Sequence, residues 1–265
     1  MSYRSDTAAA EETAALVQKL GRRVLLVQTD VGDEAATVAA VDRIRTELGP
    51  ITLLVNNAAY MKRQRPADIT PRTWRAIFTI NVEAVFHLMW LVREDMVAAG
   101  GGAIVNISSQ AGSHPDPAMI AYGASKAALN SLTASAALAF AKEKIRVNAV
   151  SPGSSAPRAW TPSTRPPWHT CSARAHLLRQ VPVGRMGEPE EIAATVAFLL
   201  SDAAAFVTVR SGRSRAVNDH RAWNGPWLPA RARSRCHDQS IAEEVFNSMI
   251  LSQSKPSSCR ISSVC

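Results

Sequence analysis

Short apolar runs of strand length alternate with longer segments of helical character along most of this 265-residue chain. These runs are mostly apolar and lack the sustained alternation with polar residues that marks a half-exposed strand. They occupy residues 23–29 (RVLLVQT), 51–55, 103–107 and 145–150. Buried strands separated by helices form a parallel sheet that is covered on both faces. We therefore expect an α/β fold with a doubly wound, Rossmann-like sheet.

The segments between these runs carry the residues that begin and end helices. Asp6 and Asp33 are placed to cap the first two helices, and Gly21 and Gly49 are placed to end them. Three further helices are predicted: a long apolar one from Thr70 to the glycines at 100–102, one over 121–142, and one beginning at Glu188.

The net charge of +8 is concentrated in two segments. Residues 209–265 hold nine Lys and Arg against four Asp and Glu, and residues 154–180 hold four Arg and no acidic residue, which leaves the remainder close to neutral. Both segments lack helical and strand periodicity, and their composition, which is rich in Arg, Pro, Trp and Cys, suggests a shift of reading frame. We predict a main domain over 1–208 and an irregular basic tail over 209–265.

Other compositional features exclude several classes of protein. The four cysteines have no repeating spacing, so neither a disulfide framework nor a zinc site is expected. Apolar runs fall short of a membrane span, and the N-terminus lacks the apolar stretch of a leader. These observations predict a cytoplasmic protein with no metal, no membrane partner and no specific nucleic acid.

Three side chains with catalytic chemistry are expected to converge. Tyr122 and Lys126 are four residues apart in a predicted helix and therefore share a face. Ser109 lies where the strand 103–107 has just ended, at the edge where parallel sheets bind ligands. The hydroxyl could hold a substrate oxygen while the phenol exchanges its proton, and the nearby ammonium favours the phenolate.

These residues belong to a larger set that resembles the short-chain dehydrogenase/reductase (SDR) family. The set comprises Asn57-Ala58, Asn81, Ser109, Tyr122-x-x-x-Lys126 and Pro152-Gly153, and the resemblance covers about residues 3–208. It implies that Ser109 orients the substrate oxygen, that Tyr122 is the general acid/base, and that Lys126 lowers the tyrosine pKa and binds the nicotinamide ribose. Asn81 would support a proton-relay water.

The resemblance also assigns residues to the cofactor. Asp30 and Val31 are similar to the family's adenine-contacting pair, and Asn57-Ala58 to the turn that passes the cofactor, with Ala59 in place of a glycine. Pro152-Gly153 is similar to the turn beside the nicotinamide. Arg4 lies where the family reads the 2′-phosphate, which favours NADP, although NAD stays possible.

Two parts of the family pattern are absent. The family begins with a strand and a glycine-rich TGxxxGxG turn that binds the pyrophosphate, and this sequence contains no such turn. The resemblance therefore implies an N-terminally truncated member that lacks the first βα unit, with ladder partners removed on both sides of the gap. Val209-Arg210-Ser211 replaces the usual continuation of the last strand, which puts that strand and the family's homo-oligomer in question.

Three functions follow from these features. The first is an SDR-type oxidoreductase that transfers hydride between NADP(H) and a small carbonyl or alcohol, with activity reduced by the missing turn. The second is a catalytically impaired remnant that acts as a binding or scaffold protein. The third is binding of nucleic acid or anionic membranes through the arginine-rich tail, which the irregularity of that segment disfavours.

Overall fold

The computed structural model describes residues 1–155 and 181–208 of the chain. The segment 156–180 and the basic tail 209–265 lie outside the described residues, so the predictions made for them have no structural counterpart here. The strands are β1 (Ser2–Tyr3), β2 (Val27–Gln28), β3 (Leu53–Asn56), β4 (Gly102–Ile107) and β5 (Ile145–Val150). The helices are α1 (Thr7–Lys19), α2 (Glu34–Leu48), α3 (Pro71–Phe78), α4 (Ala84–Ala98), α5 (Ile120–Phe140) and α6 (Pro189–Leu200).

All strand pairs in the described residues are parallel, and they form two separate ladders. β1 pairs with β2, with Ser2 opposite Val27, and the second ladder has the order β3-β4-β5. The predicted Rossmann-like α/β architecture is confirmed. The division falls between β1 and β3.

The helix boundaries follow the capping residues. Asp6 accepts a hydrogen bond from Ala9 N at 3.0 Å, and Asp33 accepts one from Ala36 N at 3.0 Å. Gly49, with φ of +97°, follows α2 in the left-handed half of backbone space, where a side chain would be strained. Capping boxes at Thr70 and Glu188 begin α3 and α6. Together with Asp6 and Asp33, these residues place four helix starts where the sequence predicts them.

The strand predictions are less accurate than the helix predictions. Within the apolar run 23–29 only Val27 and Gln28 pair with a neighbouring strand, because that strand, β1, has two residues. At the other edge, residues 206–208 lie beside β5 without forming a ladder. There the side chain of Asn148 donates to Val207 O at 2.9 Å, and the Thr208 hydroxyl lies 3.4 Å from both Val147 N and Val147 O.

The core lies between the strands and helices α2, α4 and α5. Its fully buried members include Val41 and Ile44 of α2, Leu54 of β3 and Met89 of α4. Since β2 contributes Val27 to the same cluster, apolar packing joins the two ladders where backbone hydrogen bonds do not.

The long helix predicted from Thr70 runs from Pro71 to Ala98 and contains one irregular turn. Residues Thr79–Glu83 form a π-helical turn between α3 and α4. By length and hydropathy this 28-residue helix could cross a membrane, with 39% of its most apolar window buried in the structure. Its face carrying Leu88, Met89 and Val92 is buried against the sheet, so in this fold it serves as a core helix.

Candidate active site

Ser109, Tyr122 and Lys126 meet at the carboxyl end of β4, as the sequence predicts. Ser109 follows β4 and accepts a hydrogen bond from Ala111 N at 3.2 Å, which begins a short 3₁₀ turn over Gln110–Gly112. The hydroxyl of Ser109 is near enough to the Tyr122 phenol to lower the pKa of that phenol. The Lys126 ammonium lies 5.7 Å from the centroid of the Tyr122 ring. The hydroxyl, the phenol and the ammonium therefore share one local environment.

Lys126 is almost completely buried, with 1% of the residue exposed. Its Nζ donates to the carbonyl oxygen of Ile107, the last residue of β4, at 2.7 Å. Burial lowers the pKa of Lys126 from 10.5 to about 8, because the charged ammonium loses its hydration. One N–H of the ammonium is thus occupied by the strand end, and two remain for other acceptors.

The pKa of Tyr122 is raised, contrary to the expectation that the lysine lowers it. Burial raises the pKa of Tyr122 above its usual value of 10, and the hydrogen bond with Ser109 opposes that rise without cancelling it. The Lys126 ammonium donates to Ile107 O, and desolvation is the main influence on the pKa of Tyr122.

Asn81 lies in the middle of the π-helical turn and is fully buried. Its Oδ1 accepts from Tyr60 N at 2.7 Å, and its Nδ2 donates to Tyr60 O at 3.0 Å and to Ser125 Oγ at 2.9 Å. Ser125 in turn donates to the carbonyl oxygen of Tyr122 at 2.7 Å. π-turns inside α-helices are frequent at functional sites, and this one is joined through Asn81 to the turn of α5 that carries Tyr122.

Gly112 allows the 3₁₀ turn after Ser109 to lie directly on α5. A Cβ at this position would come within 2.8 Å of the backbone carbon of Lys126 and 2.9 Å of the Asn130 amide nitrogen. Gly123 allows the same approach from the helix, since a Cβ there would lie 3.0 Å from Ala111 O. Two glycines, one on each element, therefore fix the spacing between the serine and the tyrosine.

The turn at Pro152-Gly153 is joined to the same group of residues. Gln110 N donates to Pro152 O at 3.1 Å, and Ser108 N donates to Val150 O at 2.7 Å. The carboxyl end of β5 therefore lies beside the segment that carries Ser109.

Arg4 and Asp30, the residues expected at the adenosine end, line a common cavity of about 440 Å³. Gly32, Asp33, Tyr60 and Thr79 also line it. Arg4 follows β1, Asp30 follows β2 and Tyr60 comes shortly after β3, so the carboxyl ends of both ladders open to this cavity. A cavity of this size at a break in strand order is a typical ligand site of α/β folds.

Val31 and Ala58 lie together at a second, much smaller cavity of about 10 Å³, whose other lining residues include Asn56, Ile80 and Leu88. Asn57 is exposed at the start of the loop after β3. Next to this cavity, the buried Oδ1 of Asn56 has no hydrogen-bond partner among the described residues, although Asn56 Nδ2 donates to Asn106 Oδ1 at 2.8 Å.

Sequence reasoning missed the buried polar residues that brace the site, namely Ser125, Asn56, Asn106 and Thr133. Asn106 Nδ2 donates to Thr133 Oγ1 at 2.9 Å, which ties β4 to α5. A signal for two of them was present, since Asn56 and Asn106 interrupt otherwise apolar strands. Within residues 1–155 and 181–208, no cluster of three or more His, Cys, Asp or Glu side chains could hold a metal ion.

The fold and this arrangement define the class of dinucleotide-dependent α/β oxidoreductases. In that class a parallel sheet presents cofactor and substrate at its carboxyl edge. A family model described as enoyl-(acyl carrier protein) reductase matches residues 1–211. The chain belongs to the short-chain dehydrogenase/reductase family.

Individual relatives share the larger part of their length with this chain. It is 38% identical over 199 residues to cis-4-hydroxycyclohexanecarboxylate dehydrogenase of Sinomonas cyclohexanicum, covering 75% of this chain and 78% of the relative. Among solved structures, a Burkholderia cenocepacia gluconate 5-dehydrogenase in complex with NADP and tartrate matches with a TM-score of 0.70 and 29% identity, covering 78% and 80% of the two chains. An NAD⁺-bound xylitol dehydrogenase matches with a TM-score of 0.69 and 34% identity, covering 77% and 82%.

Proposed function

We propose that this SDR-type oxidoreductase interconverts a small carbonyl compound and its alcohol, with Tyr122 as the general acid/base. The observation that carries the proposal is the convergence of Ser109, the buried Tyr122 and the buried Lys126 ammonium at the carboxyl end of β4. Two matched relatives, a cis-4-hydroxycyclohexanecarboxylate dehydrogenase and a gluconate 5-dehydrogenase, are named for oxidation of hydroxyl groups, which supports an alcohol or carbonyl substrate.

Each of the three residues has a distinct task in this proposal. Ser109 donates a hydrogen bond to the substrate oxygen and holds it against Tyr122. In reduction the phenol gives its proton to that oxygen, and in oxidation the phenolate takes the proton from the alcohol. Because burial raises the pKa of Tyr122, the protonated phenol is the resting form at neutral pH. Lys126 stabilises the phenolate that forms.

The residues at both ends of the site suit a nicotinamide dinucleotide. Lys126 has ammonium donors left after its bond to Ile107 O, and these would bind the hydroxyls of the nicotinamide ribose. Arg4 and Asp30 line the cavity that would hold the adenosine, with Val31, Asn57 and Ala58 along the path between the two ends and Pro152-Gly153 beside the nicotinamide. When bound, the cofactor supplies or accepts the hydride.

Arg4 favours NADP over NAD in this proposal. Its exposed guanidinium at the mouth of the cavity is suited to a phosphate group, whereas Asp30 is suited to hydrogen bonds from an uncharged ribose or adenine. Relatives with each cofactor exist among the matched structures. We place the protein in the cytoplasm, without nucleic-acid or membrane partners.

Two measurements test the proposal. Titration of the purified chain with NADPH and with NADH, followed by cofactor fluorescence, should show tighter binding of NADPH, and Arg4→Glu should abolish that preference. In an assay of NADPH oxidation with small ketones, Tyr122→Phe should lower kcat at least about 100-fold, since general acid/base catalysis contributes that much. Tyr3→Phe removes a phenol elsewhere and should keep wild-type activity. Full activity in Tyr122→Phe would refute the assignment.

A second candidate, binding of the dinucleotide without turnover, is favoured by the separation of the two ladders. The cavity at Arg4 is lined from both ladders, whereas Tyr122 packs on the β3-β4-β5 ladder, so the shape of the cavity depends on side-chain packing between the two ladders. NADPH binding that leaves every ketone unreduced would favour this candidate over the first.

A further inference from the structure

The loops after β3 and β4 are joined to each other by an ion pair and a backbone hydrogen bond. Arg63 Nη2 lies 3.0 Å from Asp116 Oδ2, and the two side chains are 38% and 29% exposed. The adjacent residue Gln64 donates its backbone N–H to Ala118 O at 2.9 Å. These bonds connect residues 53 and 54 positions apart in sequence, so they restrict the relative motion of two loops that are distant along the chain.

Asp116 uses its second oxygen to shape its own loop. Ala118 N donates to Asp116 Oδ1 at 2.8 Å, and Met119 N donates to Asp116 O at 2.9 Å. The carboxylate therefore folds the turn that presents Ala118 O to the opposite loop, and it binds Arg63 at the same time. Removal of Arg63 abolishes the ion pair, and removal of the Asp116 side chain abolishes both the ion pair and the bond to Ala118 N.

This turn leads directly into the helix that carries Tyr122. Met119 is the N-cap of α5, and no side chain caps that end of the helix. The first helical hydrogen bond runs from Gly123 N to Met119 O, at 2.7 Å, and Tyr122 lies in that turn. Uncapped helix ends fray readily, so the conformation of the Tyr122 turn depends on what holds residues 116–119.

The other loop is anchored on Asn81. Both backbone groups of Tyr60 bond to the Asn81 side chain, and Asn81 reaches Tyr122 O through Ser125. The contacts thus close a ring that runs from Tyr122 through Ser125 and Asn81 to the 60–64 segment, and back through Asp116 to the start of α5.

We propose that Arg63 and Asp116 are positioning residues, whose ion pair between the two loops holds the first turn of α5 so that Tyr122 faces Ser109. The effect of the ion pair on catalysis rests on the proposed function. Its restraint on the first turn of α5 is tested without reference to activity. Arg63→Ala removes the cation, and Asp116→Asn removes the charge but keeps an oxygen for Ala118 N. Arg65→Ala is the matched control, because it breaks the Arg65–Asp68 ion pair within one loop.

The structural test is amide hydrogen exchange at Gly123, with urea unfolding as a check on global stability. Exchange should be about fivefold faster in Arg63→Ala and in Asp116→Asn than in the wild type, the upper range for a partly exposed ion pair. The double variant should be no faster than either single variant. Salt at about 1 M should accelerate the wild type and leave Arg63→Ala unchanged, since it screens the pair. Equal Gly123 exchange in Arg63→Ala and Arg65→Ala would overturn the proposal.

The catalytic test compares the same variants in the NADPH-dependent assay. Arg63→Ala should lower kcat severalfold with little change in KM, and Arg63→Lys should restore part of it. A wild-type kcat in Arg63→Ala, with Tyr122→Phe inactive, would overturn the positioning role. If the wild type itself reduces no substrate, the proposed function fails, and the Gly123 exchange comparison still decides whether the ion pair restrains the helix.

Discussion

The buried ammonium of Lys126 should make the protein more stable as the pH rises from 8 to 10. Folding lowers the pKa of this lysine from 10.5 to about 8, so within that window the unfolded chain binds more protons than the folded chain. The stability contributed by the neutral amine is fully present above pH 10.5 and is lost as the pH falls through 8. The penalty for the charged form at pH 7 is about 3 kcal/mol, and about 2 kcal/mol of it is relieved between pH 8 and 10.

Tyr122 sets the upper limit of this window. Its raised pKa means that the folded protein retains a proton that the unfolded chain loses above pH 10, and stability should decline there. Urea unfolding followed by tryptophan fluorescence at pH 8, 9 and 10 measures the rise. In Lys126→Met the rise should disappear, and stability at pH 7 should be at least that of the wild type, since the lost bond to Ile107 O is worth less than the relieved charge.

Lys142→Met is the control for this experiment, because Lys142 is exposed at the other end of the same helical segment. It should keep the wild-type rise. The reasoning is refuted if Lys126→Met retains the increase between pH 8 and 10, or if the wild type loses stability over that range.

Three other substitutions test the packing around the site. Asn106→Ala should lower the free energy of unfolding by about 3 kcal/mol, because it leaves the buried amide of Asn56 without a partner and opens a cavity; a loss below about 1 kcal/mol in urea unfolding would contradict this. Gly112→Ala should cost about 1 to 3 kcal/mol in the same measurement, since its Cβ would meet the backbone at Lys126, and unchanged stability would show that the 3₁₀ turn can move away freely. Arg146→Ala should destabilise by about 2 kcal/mol, because its guanidinium donates to Leu199 O, Leu200 O and Ser201 O at the end of α6, and faster limited proteolysis next to α6 is the expected readout; wild-type proteolysis would mean that α6 is held by packing alone.

Much of the fold was predictable because its signals are local. The capping aspartates and the boundary glycines act within one turn of the chain, and the spacing of Tyr122 and Lys126 is a property of any helix. The position of Ser109 followed from the rule that parallel strands present ligands at their carboxyl ends.

The remainder depended on partners distant in sequence. The length of β2 is set by β1, and the run 23–29 could not reveal that its partner offers only two residues. The π-turn at Thr79–Glu83 adds one residue to a helical turn, and the spacing of apolar residues in the sequence does not reveal it. This turn nevertheless directs Asn81 towards Ser125. The direction in which the Tyr122 pKa shifts could not be predicted either, because the shift depends on how deeply the phenol is buried.

The division of the sheet has a consequence for how the molecule opens. No backbone ladder within residues 1–155 and 181–208 crosses from β2-β1 to β3-β4-β5, so the segment that includes β1, α1 and β2 is retained by apolar side chains, by side-chain hydrogen bonds such as that from Arg23 to Glu47 O, and by chain connectivity. Sub-global unfolding proceeds through the units with the fewest shared hydrogen bonds. The first 33 residues should therefore detach as one cooperative unit, at a lower free energy than the layer that carries Ser109 and Lys126. The adenosine end would then lose its shape while the proton-transfer end stays folded.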